Sequence, residues 1–303
     1  MTVAVCERCA APLAPEAAFC EVCGGAVAAT LPDELGDRLH FGQSPASWVA
    51  GVCDRGAARE RNEDAMAMAA VEPAGSHAAL VVCDGVTSAE NSDVASLAAA
   101  RAALAILAAP FSIGLGGTHS AQVAGRRTFE RAVREAQQAV LRESERNVKA
   151  PGACTFVAAV VMGPLVWHSC IGDSRAYLIP DEGKPLLLTR DDSMAEMMIA
   201  AGMPRADAED TPLAHTITRW LGADAPDLNP RATQIEVTSP GWLLVCSDGL
   251  WNYASAPQDL AQVVREAAEV FPKPLALAEA LVQWANDQGG HDNITVALAR
   301  VGD

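Results

Sequence analysis

Short apolar runs recur from Ser47 to the end of the chain, and many are bounded by a glycine or a proline. Runs of this length that contain β-branched residues are typical of β-strands. The pattern predicts strands over Trp48–Asp54, Asp64–Val71, Ala78–Cys83, Cys154–Met162, Leu165–Cys170, Arg175–Ile179, Pro185–Leu188, Thr233–Val237, Trp242–Ser247 and Ile294–Ala299.

Longer segments rich in Ala, Leu, Glu and Arg have a helical period instead. In one of them, Phe129, Val133, Ala136 and Val140 fall on a single face. Many strands follow one another as hairpins rather than crossovers, which favours an α+β fold built as a layered sandwich. The predicted helices are Asp93–Ala109, Arg126–Lys149, Gln258–Val270 and Leu275–Gln288.

The stretch from Thr189 to Pro230 interrupts the strand pattern and is rich in Asp, Met, Gly and Pro. A long excursion from a compact strand framework is more often functional than idle. We therefore predict a helical flap over a site, with a variable surface insertion as the alternative.

Composition places the chain among globular proteins, because half of its 303 residues are hydrophobic and 20% are charged. The formal net charge is −16, from 22 basic and 38 acidic residues. Such a surface repels a phosphate backbone but can collect divalent cations. We therefore expect no nucleic-acid partner.

The sequence also predicts no membrane association. The most apolar stretches, near Val94–Pro110 and Ala153–Trp167, are interrupted and shorter than the ~20 residues that a bilayer requires. No secretory signal precedes them. The nine cysteines are odd in number, and five lie in apolar strand-like runs where cysteine usually serves as a small buried hydrophobe. These features predict a reducing, cytoplasmic environment.

The start of the chain carries two Cys-x-x-Cys pairs. Two such pairs supply the four thiolates of a structural zinc site, and a segment with so few large apolar residues could hardly fold without the ion. Disulfide formation and a redox function are the alternatives. The four predicted zinc ligands are Cys6, Cys9, Cys20 and Cys23.

The predicted domain organisation is a zinc ribbon over residues 1–28, a linker over 29–46 and one large domain over 47–303. Arg8 is the only basic residue before residue 38, so the ribbon lacks the basic surface of a nucleic-acid reader. We expect it to be a protein-docking module or a stabilising unit.

Carboxylates follow or precede several predicted strands. Asp84, Asp173 and Asp248 follow apolar runs, whereas Asp64 and Asp292 precede them. A single Asp-Gly pair is usually an ordinary turn. Several acidic strand ends in one domain instead suggest convergent ligands for Mg2+ or Mn2+, which prefer oxygen donors.

A pair of such ions can lower the pKa of a shared water and direct it at a phosphoryl group. Arg59 would then bind phosphate through its planar guanidinium, unless it is a surface residue paired with Glu60 or Glu63. The cysteines within apolar runs lack the features of a nucleophile, which leaves water as the attacking group.

Seven ordered motifs resemble those of the metal-dependent type 2C serine/threonine protein phosphatases of bacteria, from about Trp48 to Val301. The resemblance implies two antiparallel β-sheets flanked by helices, with the metals in a cleft at one end of the sheets. The motifs are Arg59-x-x-Asn62-Glu63-Asp64, Val82-Cys83-Asp84-Gly85, Gly152-Ala153-Cys154-Thr155, Ile171-Gly172-Asp173-Ser174-Arg175-Ala176-Tyr177, Leu188-Thr189-Arg190-Asp191, Ser247-Asp248-Gly249-Leu250-Trp251 and Asp292-Asn293-Ile294-Thr295.

The resemblance also implies a ligand set for two Mn2+ or Mg2+ ions. Asp84 would bridge the ions, and the carbonyl group of Gly85 would bind the second one. Asp248 and Asp292 would hold the first ion. The remaining implied roles are those of Glu63 and Asp64, through metal-bound waters or hydrogen bonds, and of Arg59, which would bind the substrate phosphate.

Asp173 matches the position that helps to bind a loosely held third metal in bacterial members, together with the flap near Asp191–Ser193. Its alternative role is to fix the turn through Ser174 and Arg175. The flap departs from the family pattern, since Asp192 stands where a histidine is common. This departure bears on flap behaviour and on third-metal affinity.

A second departure follows Asp84-Gly85, where Val86-Thr87-Ser88 replaces a bulky residue and two glycines. No histidine follows there, so the general acid of some eukaryotic relatives has no counterpart, and a metal-bound water would protonate the leaving group. His291, next to Asp292, has either a direct role or a loop-packing one.

The resemblance implies a phosphatase that hydrolyses phosphoserine and phosphothreonine in one step, without a phosphoenzyme. Its partners would be phosphorylated proteins, the substrates of a serine/threonine kinase. The alternative is a catalytically weak sensor or scaffold of the same fold, in which the loop Val86–Ser92 has lost the chemistry and the domain binds phosphoproteins.

Overall fold

The computed structural model of the chain describes residues 38–110, 117–146 and 151–302. Two antiparallel β-sheets pack face to face, and helices cover the outer face of each sheet. The predicted α+β sandwich is therefore confirmed. Among the described residues, no helix combines the length and the apolar character needed to cross a membrane.

The first sheet has six strands in the order β1-β2-β11-β10-β7-β8. Each neighbouring pair is antiparallel. The strands are β1 (His40–Ala46), β2 (Val49–Asp54), β11 (Ile294–Val301), β10 (Gly241–Cys246), β7 (Arg175–Pro180) and β8 (Leu186–Leu187).

The second sheet has five strands in the order β3-β4-β5-β6-β9, and its pairs are also antiparallel. Consecutive strands β3, β4, β5 and β6 are neighbours, as the predicted hairpins require. The strands are β3 (Ala65–Val71), β4 (His77–Cys83), β5 (Phe156–Met162), β6 (Leu165–Ile171) and β9 (Thr233–Glu236).

Helices occupy the outer layers and the flap. The first two cover the second sheet, the last three cover the first sheet, and two short ones lie in the predicted flap. They are α1 (Ser92–Leu107), α2 (Gly117–Arg146), α3 (Met194–Ala200), α4 (Arg205–Glu209), α5 (Asp248–Trp251), α6 (Pro257–Val270) and α7 (Pro274–Asp287).

Strand β4 shows why the apolar runs are continuous rather than alternating. Val81 and Cys83 pack toward α1 and α2, whereas Leu80 and Val82 pack between the two sheets. Both faces of the strand are buried, so every position after His77 is apolar. Burial of this kind is the main favourable term that holds the layers together.

The predicted strands are all present, with ends that differ by a residue or two. One strand was missed. The predicted linker extended to residue 46, but His40–Ala46 is the edge strand β1, paired with β2. Its sequence contains Gly42 and Pro45 and lacks an apolar run, because an edge strand with exposed positions needs none. The predicted zinc ribbon over 1–28 lies outside the described residues.

Candidate metal centre

The acidic strand ends meet at one edge of the sandwich because neighbouring strands run in opposite directions. In the second sheet, Ala65 at the start of β3 pairs with Cys83 at the end of β4. Asp64 and Asp84 are the next residues outward, so they extend from the same edge.

The same logic applies to the first sheet. Cys246, the last residue of β10, pairs with Arg175 at the start of β7 and with Val296 near the start of β11. The loops that carry Asp173, Asp248 and Asp292 therefore lie together.

Asp84 is anchored through its main chain. Its N–H donates to Thr155 Oγ1 (3.0 Å), and its carbonyl oxygen accepts from the Thr155 N–H (2.7 Å). The next residue, Gly85, forms a β-bridge with Cys154. A Cβ atom at Gly85 would lie 2.6 Å from the Glu63 carbonyl oxygen, so only glycine allows the two segments to pack this closely.

Asp248 is the first residue of α5. Its Oδ2 accepts a hydrogen bond from Asn252 Nδ2 (3.0 Å). Its Oδ1 is buried and has no N–H or hydroxyl donor among the described residues. Burial and the charge of Asp292 raise the pKa of Asp248 to about 6, although contact with the Asp84 carboxyl group opposes the shift.

Asp64 is buried at the centre of a polar network between the sheets. Its Oδ2 accepts hydrogen bonds from Ser247 Oγ (2.6 Å) and Thr295 Oγ1 (2.7 Å). Its Oδ1 has no partner within the part of the chain that the structure describes. Burial raises the pKa of Asp64 to about 7, even though both hydroxyl groups favour the ionised form.

Burial is also the largest cause of the raised pKa values of Asp84 and Asp173. Repulsion adds to both shifts: Asp64 and Asp248 act on Asp84, and Asp248 acts on Asp173. Carboxylates that raise one another's pKa values form an edge whose ionised state requires a compensating cation.

Divalent cations fit this donor set. Hard oxygen ligands are present, and buried carboxylate oxygens of Asp64 and Asp248 lack donors among the described residues. Within residues 38–110, 117–146 and 151–302, no three His, Cys, Asp or Glu side chains are already arranged around a single ion position. Protein partners such as Asn252 and Arg59 hold some of the carboxylates instead.

Arg59 lies at this edge and pairs with a carboxylate of the predicted site. Its Nη2 is 2.6 Å from Asp292 Oδ2, so the alternative pairing with Glu60 or Glu63 is not the one observed. Glu63 instead pairs with Arg61, at 3.2 Å. Both Arg59 and Asp292 keep about a third of their side-chain surface exposed. The guanidinium is therefore accessible to an anion from solvent.

A second buried network joins the flap to the edge. Arg175 forms a bidentate pair with Asp191, with its Nη2 2.7 Å from Oδ2. Its guanidinium lies 3.5 Å from the ring centroid of Trp251, and Trp251 Nε1 donates to the Asp173 carbonyl oxygen (3.0 Å). The start of the flap, α5 and the Asp173 turn are thus packed into one unit.

Asp192, where the family commonly has a histidine, is buried and forms two ion pairs. It contacts Arg219 (3.1 Å) and Arg231, and it also accepts from the Gly172 N–H. Asp192 therefore connects Arg219 of the flap and Arg231, directly after it, to the turn before Asp173. This contact pattern was not predicted.

A cleft of about 170 Å3 separates the flap from the edge. The flap contributes Glu196, Arg205 and His215, and the edge contributes Asp173 and Asn252. The predicted helical character of the segment Thr189–Pro230 is confirmed, since α3 and α4 lie there, and the segment lines this cleft.

His291 is exposed, its N–H donates to Tyr253 Oη (2.9 Å), and its ring lies beside the Tyr253 ring. These contacts match the loop-packing alternative. The free cysteines of the described region are buried, and burial raises the pKa of Cys53 and Cys170 to about 12. Neither thiol can supply a thiolate near neutral pH.

Several residues of the seven motifs support the site although no role was predicted for them. Ser247 and Thr295 bind Asp64, and Thr155 anchors Asp84. Asn293 accepts from the Glu63 N–H (2.8 Å) and donates to the carbonyl oxygens of Arg55 and Arg61. A signal existed, because these polar side chains stand within or beside otherwise apolar strand ends.

Comparison with known proteins agrees with the two-sheet sandwich. A family model described as protein phosphatase 2C matches residues 55–286, which is most of the chain. The chain belongs to the protein phosphatase 2C family.

Particular relatives are similar in sequence and fold. The serine/threonine protein phosphatase PstP of Mycobacterium tuberculosis is 29% identical over 256 residues, which are 84% of this chain and 45% of PstP. The chain thus spans about half the length of that relative. The serine/threonine phosphatase stp of Listeria monocytogenes is 28% identical over 246 residues, 81% of this chain and 92% of stp.

A solved structure of the PstP catalytic domain in complex with two manganese ions superimposes with a TM-score of 0.63 at 25% identity. The superposition covers 87% of this chain and all of that domain.

Proposed function

We propose that this chain is a metal-dependent serine/threonine phosphoprotein phosphatase. The observation that carries the proposal is the acidic edge, where Asp64, Asp84 and Asp248 are buried together. Burial raises the pKa of each carboxyl group, and the charges of Asp64 and Asp248 raise that of Asp84 further. Oxygen ligands in this electrostatic state suit Mn2+ or Mg2+. Family membership and the names of PstP and stp support the same reaction class.

The proposed ligands of two ions are Asp84, the Gly85 carbonyl group, Asp248 and Asp292. When bound, such a pair of ions neutralises the carboxylates and supplies an activated water for attack on phosphorus. Glu63 and Asp64 support the site through hydrogen bonds and waters. Asp173 adds a ligand for a third ion at the mouth of the flap cleft.

Arg59 is proposed to bind the substrate phosphate. Its guanidinium is held at the edge by Asp292 and remains partly exposed. A phosphate oxygen can therefore contact the free donors of the guanidinium while Asp292 orients it. Water, rather than a thiol, is the proposed nucleophile, since burial holds the thiols of Cys53 and Cys170 in their protonated form.

The test is phosphate release from phosphothreonine and phosphotyrosine peptides, with and without added Mn2+. We expect Mn2+-stimulated release that favours the phosphothreonine peptide and is abolished by a chelator. Binding of the phosphothreonine peptide without Mn2+-stimulated release would support the sensor or scaffold function instead.

We also propose that Cys6, Cys9, Cys20 and Cys23 bind one structural Zn2+ ion in a ribbon that serves as a protein-docking module. These residues lie outside the described part of the chain, so the support is their spacing alone. Elemental analysis of the whole chain should find about one zinc per chain. Loss of that zinc on Cys6→Ser with Cys9→Ser, and retained activity on a small phosphoester, are the expected results.

The proposed partners are phosphorylated proteins made by a serine/threonine kinase. The proposed setting is the cytoplasm, where five buried cysteines would stay reduced.

A further inference from the structure

Arg38 is the first residue that the structure describes, and it precedes the part of the chain that the family model matches. It is 4% exposed, which is unusual for an arginine. Its guanidinium contacts both the loop that precedes β3 and the first turn of α1.

The guanidinium joins these two segments through their main chains. Arg38 Nη1 donates to the Asp93 carbonyl oxygen (2.7 Å), and Nη2 donates to the Asp64 carbonyl oxygen. The loop holds Arg38 in return, since Asn62 Nδ2 donates to the Arg38 carbonyl oxygen (2.7 Å). Two of these contacts connect the residue to the loop that carries Arg59, Glu63 and Asp64, and the third connects it to α1.

Fixing this main chain also fixes the acidic side chains above it. The Asp64 carboxylate reaches Ser247 and Thr295 only if the main chain of Asp64 stays in place. Glu63 lies against Gly85, which the proposed function assigns to the metals, and its carbonyl oxygen accepts from Ser96 Oγ (2.6 Å). A shift of the loop would thus move two sides of the metal centre.

Fold stability alone does not account for the residue. Burying a guanidinium is costly unless its donors are satisfied, and Arg38 Nε has no acceptor among the described residues. A buried charge that adds little to the stability of the fold is typical of a functional site, where it holds neighbouring groups in a required geometry.

We propose that Arg38 is a positioning residue of the metal centre, which holds the Arg59–Asp64 loop so that Mn2+ can bind. This inference rests on the proposed function. It ties the part of the chain before the family match to the site, because the residue that clamps the loop belongs to the segment leading into β1.

The chain offers a matched control in Arg265. Its guanidinium also donates to two main-chain carbonyl oxygens, those of Pro180 (2.7 Å) and Gly183 (2.8 Å). Pro180 is the last residue of β7, at the end opposite to Arg175 and the metal centre. Arg265→Gln therefore removes the same kind of contact far from the site.

The experiment measures Mn2+ binding to the full chain by calorimetry, together with kcat, KM and metal-free thermal unfolding. We expect Arg38→Gln to weaken Mn2+ binding roughly 10- to 100-fold, the range found for residues that support metal ligands. Excess Mn2+ should restore most of kcat, and KM for the peptide should change little. Arg38→Lys keeps the positive charge but not the planar guanidinium, so it should lose less Mn2+ affinity than Arg38→Gln.

Arg265→Gln should lower the unfolding temperature without changing Mn2+ affinity. Equal Mn2+ affinity of the wild type and Arg38→Gln, within about two-fold, would overturn the inference. Failure of both Arg38 variants to fold would also overturn it, because the residue would then serve stability. If the wild-type chain itself bound no Mn2+, that result would contradict the proposed function rather than the role of Arg38.

Discussion

At the two ends of the first sheet, the pKa values of aspartates are shifted in opposite directions. At one end, Asp181 follows β7 and forms a bidentate pair with Arg300, with both N–O distances at 2.6 Å. The hydrogen bonds from Arg300 lower the pKa of Asp181. At the other end, burial and neighbouring acids raise the pKa values of Asp173 and Asp248.

The opposite pKa shifts at the two ends have opposite consequences for the stability of the folded state. An aspartate with a lowered pKa stabilises the folded state at neutral pH, whereas one with a raised pKa destabilises it. The acidic edge therefore costs folding free energy unless cations bind there. Stored instability of this kind is typical of functional sites.

The largest expected effect is at the proposed bridging ligand. Asp84→Asn should lower phosphate release by about three orders of magnitude or more, equivalent to roughly 4 kcal/mol, because the neutral amide cannot hold two cations. Asp181→Asn, at the opposite end, is the control and should retain turnover. Near-wild-type turnover of purified Asp84→Asn would contradict the assignment of the acidic edge.

Arg59→Ala should have the next largest effect. Loss of a charge-assisted contact with phosphate is worth about 1.5–3 kcal/mol, so kcat/KM for a phosphopeptide should fall roughly 10- to 100-fold. Steady-state kinetics at saturating Mn2+ measures this loss. Mn2+ affinity should stay near that of the wild type, and an unchanged kcat/KM would exclude Arg59 from substrate binding.

Asp248→Asn should make the metal-free protein more stable. The folded-state pKa is raised from 3.8 to about 6, so ionisation of Asp248 opposes folding once the pH passes this window. The stability gain of the variant should be complete above pH 6 and should vanish as the pH falls toward 3.8. Thermal unfolding of wild type and variant across this range, in the presence of a chelator, measures the difference. A variant less stable than the wild type at pH 7 would refute the electrostatic account of the edge.

Asp181→Asn should have the smallest effect, with the opposite sign. The pKa of Asp181 is lowered, so its contribution is present above the unfolded pKa and is lost as the pH falls through the folded one. The pair is partly exposed, with 45% of the Asp181 side chain accessible, so the loss at neutral pH should be at most about 1 kcal/mol. Chemical denaturation at pH 7 tests this, and a loss several times larger would show that the opposite end is not an ordinary exposed pair.

Local patterning predicted the apolar strands and most of the acidic edge. Strand β4 is apolar at every position after His77 because both of its faces are buried, and Asp84 follows it directly. Pattern failed at β1, whose exposed edge residues and Pro45 carry no apolar signal. Ser247 and Thr295 stand out as hydroxyl residues at apolar strand ends, but their shared partner Asp64 lies 183 and 231 residues away in the chain, so local patterning could not predict the contact.

Local patterning therefore decides where the apolar strands lie and which acids stand at their ends, because burial and turn formation act within a few residues. The tertiary structure alone decided the partners of the charged groups. Arg59 pairs with Asp292, and Asp192 pairs with Arg219 and Arg231. Arg38 donates to the main-chain oxygens of Asp64 and Asp93. Such pairs join residues far apart in the chain, and their geometry exists only once the two sheets and their loops have packed.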